Sequence, residues 1–145
     1  MKFSVNQKDL QNSLNYCQGV IEKRSTLPIL SNVLLEAKDA NLKITATDLD
    51  LIFIQNISNI EISEEGETTT SCSIMYDIVR KFSNEKKIDF NLVNENKIHL
   101  LSDKSSFNLN CLKASEFPIT ESNFRDNEFK YTNNFLLEPS FLGTK

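Results

Sequence analysis

The chain has 145 residues, 39% of them hydrophobic and 25% charged, with 16 basic and 20 acidic side chains and a net charge of −4. That balance excludes a disordered acidic chain, and it excludes a protein cationic overall that grips nucleic acid mainly through phosphates, while leaving room for a local basic face. No apolar run is long enough to cross a membrane, the start Met1-Lys-Phe-Ser-Val lacks a secretory leader's apolar stretch, and three dispersed cysteines (Cys17, Cys72, Cys111) with a single histidine, His99, suit neither a disulfide framework nor a zinc site; the expectation is a cytoplasmic protein without metal or cofactor.

Phe3 to Val5 alternates like a short strand. Beyond Asn6, the residues Leu10, Leu14, Cys17 and Ile21 recur at helical spacing. Asn6 suits the cap, and Asp9 in the first turn favours the positive end of the helix dipole. The opposite face carries Lys8, Asn12, Asn15 and Gly19.

Pro28 fixes a corner. Val33 to Ala37 and Leu42 to Ala46 read as strands around a turn at Asp39-Ala-Asn41. A β-branched and aromatic run follows from Leu49 to Ile57, then a Glu64-Glu-Gly66 turn and a strand from Thr68 to Cys72. Ser73 is the expected cap of a second helix, whose apolar face would hold Ile74, Met75, Ile78, Val79 and Phe82. Arg80 would project from the other side, near Ser73 and Tyr76, with Lys81 toward an edge. Three strand-like segments complete the pattern: Ile88 to Val93, Lys97 to Ser102 and Ser106 to Leu112.

The order predicts an α+β fold, with two helices packed on antiparallel sheets and an internal βαβββ-type pseudo-repeat. The domain is expected over residues 1–120. A polar, Pro-initiated stretch follows, with a linker at 121–127. Past it, Phe129, Tyr131 and Leu136 repeat Phe3, Val5 and Leu10 at one common offset, so 128–145 reads as the truncated start of a second, similar domain.

No phosphate-binding glycine loop, nucleophile elbow or zinc-protease motif occurs, and with 3 glycines none can be built from glycine. His99 has no adjacent nucleophile to serve. Asp48 and Asp50 share a face at a strand end, but the sequence displays no further oxygen ligands for Mg²⁺ or Ca²⁺. No catalytic residue is assigned. The remaining chemistry is phosphate contact by Lys23, Arg24, Arg80 and Lys81, placed at helix ends or opposite apolar stripes, which would position duplex DNA without reading its sequence.

Three segments carry a resemblance. Arg24-Ser-Thr-Leu-Pro-Ile-Leu-Ser-Asn, Thr45-Ala-Thr-Asp-Leu-Asp, and Phe107-Asn-Leu with Phe117-Pro are similar to the first domain of the bacterial sliding clamp family, the beta subunit of DNA polymerase III. The resemblance implies a non-catalytic processivity subunit that tethers the replicative polymerase to double-stranded DNA. Such chains carry three domains each and close head to tail into a ring with helices lining the hole, and they work with the polymerase catalytic subunit and a clamp loader. It further implies that Arg24 and Arg80 face DNA, and that Phe107 and Leu109 lie on the edge that meets the partner chain's third domain. Family members often place basic residues at the start of the second helix, where this chain has Ser73-Ile74. As a truncated form the chain is expected not to close a ring alone. The alternative expectation is a non-enzymatic interaction module that binds an intact clamp chain and modulates it.

Overall fold

A computed structural model describes residues 1–21, 27–83, 86–102 and 104–118. Its first helix, α1 (Gln7–Gln18), follows strand β1 (Lys2–Asn6) directly. Asn6 has extended backbone angles, and its side-chain oxygen accepts from the backbone N–H of Lys8 at 2.9 Å and of Asp9 at 3.2 Å. Two of the four orphan donors of the first turn are thereby satisfied. The expected stripe is buried: Leu10, Leu14 and Cys17 are fully enclosed, and Gly19 caps the end.

A short 3-10 turn at Pro28–Ser31 delivers the chain into β2 (Asn32–Lys38) and β3 (Asn41–Thr47). The loop between them has only two residues, Asp39 and Ala40, with φ of 53° and 62°. Both sit in the left-handed region, as a type I′ hairpin turn requires. Next come β4 (Ile52–Ile57), β5 (Glu61–Glu64), β6 (Gly66–Ser71), α2 (Cys72–Val79), β7 (Lys87–Asn94), β8 (Lys97–Ser102) and β9 (Ser105–Leu112).

Nine strands form one antiparallel sheet in the order β4-β3-β2-β6-β9-β8-β7-β1-β5. Two β-α-β-β-β units are visible, one from β1 to β4 and one from β6 to β9, with β5 between them. Each unit gives its first strand to the other: β1 pairs with β7, and β6 pairs with β2. The two helices contact each other, and one apolar cluster joins their buried faces to strands from both units. Phe3 and Phe90 meet there as a stacked pair with centroids 4.7 Å apart and planes 7° apart. Gly66 has a specific reason: a Cβ there would come within 2.8 Å of Met1 Cβ.

Several local expectations are corrected. Ser71, not Ser73, caps α2, its hydroxyl accepting from the Ile74 N–H at 3.3 Å. Ser73 instead donates to the Gln18 side chain at 3.0 Å and ties the helices together. Ile74 is 53% exposed and off the apolar face, while Phe82 lies beyond the helix end. The strand expected from Leu49 starts at Ile52. Thr47 Oγ1 donates to the Leu51 carbonyl at 2.8 Å and accepts from Leu49 N at 2.9 Å; Asp48 Oδ1 accepts from Asp50 N and Leu51 N. These side-chain bonds hold Thr47–Leu51 as a turn, with Leu49 at φ 82°.

Candidate nucleic-acid and partner interface

Arg80 caps the C-terminus of α2, its backbone N–H returning to the Tyr76 carbonyl at 3.1 Å. The last carbonyls of a helix carry partial negative charge, which a cation here offsets. The guanidinium lies 5.7 Å from the Tyr76 ring centroid, and its Nη2 is 3.6 Å from Asp77 Oδ1. Both charged side chains of that pair are more than half exposed. Arg80 is therefore steered by a face and a carboxylate while much of its fork stays open to solvent. Lys81 follows it, exposed, its backbone N–H bonded to Ile78 O at 3.1 Å. Lys23 and Arg24 lie outside the described residues, as do the expected linker at 121–127 and the start of a second domain at 128–145. On α1, Lys8 is exposed beside Asp9.

Phe107 and Leu109 sit on β9 with their side chains turned to the helix side. Leu109 is buried, and Phe107 is half-buried, edge-on to Phe82 at 5.7 Å between centroids. The open part of this strand is its backbone. Strand β8 pairs with β9 from Ser105 to Asn110, whereas β6 pairs only with Cys111 and Leu112. Thr69 and Thr70 hydroxyls add bonds to the carbonyls of Leu112 and Asn110, each at 2.9 Å. From Ser105 to Asn110, one edge has no ladder partner among the described residues. Beside it runs a groove of ≈ 400 Å³ lined in part by Pro28, Ile74 and Leu109.

A second groove, ≈ 590 Å³, lies between α1 and β4 and is lined by Asp9, Asn12, Tyr16, Gln55, Asn56 and Ser58 among others. Neither groove was read from the sequence. Tyr16 gave the available signal for the second, because a large aromatic stands off the apolar stripe; it is 62% exposed and tilts against Phe53 at 6.1 Å.

The thiols are chemically quiet. Burial pushes the Cys17 thiol far up, with Cys72 nearby adding to the effect. Burial also raises the Cys111 thiol, partly offset by hydrogen bonds from Thr68 and Thr70. A thiol so placed is neither nucleophile nor ligand at neutral pH. His99 Nδ1 pairs with Asn108 Oδ1 at 2.9 Å on the sheet's exposed side. Among the described residues, no three His, Cys, Asp or Glu side chains converge as a metal site would require, and no helix is long and apolar enough to cross a membrane.

Paired β-α-β-β-β units with both helices on one face of an antiparallel sheet, and a cation at a helix end, define a clamp-type domain. The family model described as the DNA polymerase III beta subunit, N-terminal domain, matches residues 1–121, and the chain belongs to that family. The beta sliding clamp of Pseudomonas putida is 36% identical over 121 residues, which are 83% of this chain and 33% of that protein. The Escherichia coli K12 beta sliding clamp is 34% identical over 118 residues, 81% of this chain and 32% of its own length. Among solved structures, Caulobacter crescentus pol III beta superposes with a TM-score of 0.78 at 33% identity, covering 85% of this chain and 33% of that one. The chain thus spans about a third of the length of the curated relatives it matches.

Proposed function

We propose that this chain supplies a sliding-clamp domain that holds the replicative polymerase on duplex DNA, in the cytoplasm and without chemistry of its own. The observation that carries the reading is the family match over residues 1–121, joined to Arg80, which stands at a helix end with its guanidinium open to solvent. Arg24, Lys23 and Lys81 are proposed as further phosphate contacts. They would add a sequence-independent, salt-sensitive attraction. Double-stranded DNA, the polymerase catalytic subunit and a clamp loader are the proposed partners. Phe107 and Leu109 are proposed to support the β9 edge against the third domain of another clamp chain.

One domain presents one half of a heterologous contact, so a ring needs complementary domains from elsewhere. The chain by itself should therefore bind linear and circular duplexes alike. The test is retention on nicked circular plasmid before and after linearisation, with the 145-residue chain and with a full-length relative. Retention lost on linearisation for the relative only supports the reading. A topologically locked complex of the short chain would contradict its ring part.

The open β9 edge favours a second reading, in which the chain binds an intact clamp as an interaction module and modulates it. Capture of the Pseudomonas putida clamp by immobilised chain tests this. Absence of capture at micromolar concentrations would count against it.

A further inference from the structure

We infer that the groove between α1 and β4 binds a short extended peptide, basic at one end and apolar at the other. The inference rests on this groove alone, apart from duplex contact and from the β9 edge. On α1, Asp9, Asn12, Ser13 and Tyr16 follow the spacing i, i+3, i+4, i+7, so one helical stripe faces the groove. On β4, Gln55 stands opposite Ile44 in the ladder, and Ile44 is fully buried. The Gln55 side chain therefore lies on the helix side of the sheet, in a row with Phe53 and Ile57. Core packing takes apolar residues at such positions. Here the chain places an amide on the strand and a hydroxyl on the helix.

Ser13 sharpens the point. It is 3% exposed and shares the buried side of α1 with Leu10, Leu14 and Cys17, yet its hydroxyl has no hydrogen-bond partner among the described residues. A buried hydroxyl without a partner is unfavourable, and this one lines the groove, where a ligand can reach it. The side chains of Asn12, Gln55 and Ser58 likewise make no hydrogen bond within the described residues. At ≈ 590 Å³ the groove falls in the usual range for a ligand site, about 300–1,000 Å³.

The lining sets the chemistry of the ligand. No Lys or Arg lines the groove, and the exposed Asp9 carboxylate stands at one end, so a cation is favoured there and phosphates are repelled. At the other end Tyr16, 62% exposed, leans on Phe53 and leaves ring surface open to an apolar group. Between them, amides and hydroxyls both donate and accept, which suits a peptide backbone. Seven residues of helix separate Asp9 from Tyr16, about 10.5 Å along the axis. Three residues of polyproline II chain cover about 9.3 Å and bring side chains i and i+3 to the same side. The fitting sequence is Lys or Arg, two uncharged residues, then proline or an aromatic residue.

Nitrogen–proton NMR titration of the full chain with acetyl-Lys-Pro-Ala-Pro-amide provides the test. The expected result is saturable shifts confined to residues 9–16 and 55–58, including the side-chain amides of Asn12 and Gln55. So few anchors correspond to a Kd of about 0.1–1 mM. The same peptide with Glu in place of Lys should bind about fivefold more weakly. Tyr16→Ala should weaken the Lys peptide about fivefold or more. Ser13→Ala should leave the urea midpoint no lower and weaken the peptide about threefold, which separates a ligand contact from a structural one. Circular dichroism confirms that each variant is folded. Absence of saturable shifts up to 10 mM peptide overturns the inference, as do shifts centred elsewhere or equal binding of the Glu peptide. A short DNA duplex that moves these resonances while the peptide does not would assign the groove to nucleic acid and overturn it too.

Discussion

The Gln7 side chain spans the two helices, its Nε2 donating to the Val79 carbonyl at 2.8 Å across a separation of 72 residues. The same nitrogen donates to Gln11 Oε1 at 2.8 Å, while the buried Gln7 Oε1 has no protein partner. Gln7→Met keeps the volume and removes the donors. An abandoned buried carbonyl costs about 1–3 kcal/mol, and losing the unpaired Oε1 returns part of it, so a net loss of about 1 kcal/mol is expected in urea unfolding. Unchanged stability would show that the bridge contributes nothing.

Arg80→Ala should weaken duplex binding equally for unrelated sequences and lower the salt slope by about one. Asp77→Asn removes the carboxylate 3.6 Å from the guanidinium and should strengthen binding instead. Fluorescence anisotropy across a KCl series reads both. Equal affinities for all three proteins would remove Arg80 from the DNA-contacting set.

Much of this was legible in the residues, and the omissions have physical causes. The α1 stripe, the Asn6 cap and the β2–β3 hairpin depend on neighbours in sequence, so periodicity and turn chemistry reveal them. Strand β5 escaped because Glu-Ile-Ser-Glu is short and polar, and its place is set by β1, far away in the chain. Two serines two residues apart could each cap α2, and only the turn of backbone at Ser71 decides between them. The place of Arg80 beside Tyr76 follows from helical spacing, as does its i,i+3 pairing with Asp77, whereas the open part of β9 needs the folded sheet to be seen.

Glu61 carries the pH prediction. Its hydrogen bond and charge interaction with Lys87 hold its carboxyl below the ordinary value, although it is fully exposed. A depressed carboxylate favours the fold above its unfolded pKa, and that contribution fades as pH falls through the folded value. Carbon-detected NMR titration should place Glu61 below the other exposed glutamates, and Lys87→Met should return it to them. An unshifted Glu61 in the unsubstituted protein would refute the pairing in solution.

The thiols offer a kinetic reading of the core. Cys17 is fully buried and its thiol is held protonated at neutral and mildly alkaline pH. Ellman's reagent at pH 8 should leave it untouched in the folded chain and react as urea unfolds it, with a midpoint matching circular dichroism. Rapid reaction without denaturant would mean that the helix pair opens locally.

The exchange of first strands between the repeated units reaches back to the ribosome. Phe3 finds Phe90, and Lys2 finds Asn91, only when most of the domain has been translated. Until then β1 has no lateral neighbour except what β5 later provides, and the amino-terminal unit cannot be finished by its own sequence. Cutting the gene between the repeats would give two pieces that each lack a strand. Such pieces should be insoluble apart and recover structure only when expressed together, so the domain is inherited and synthesised as an indivisible whole.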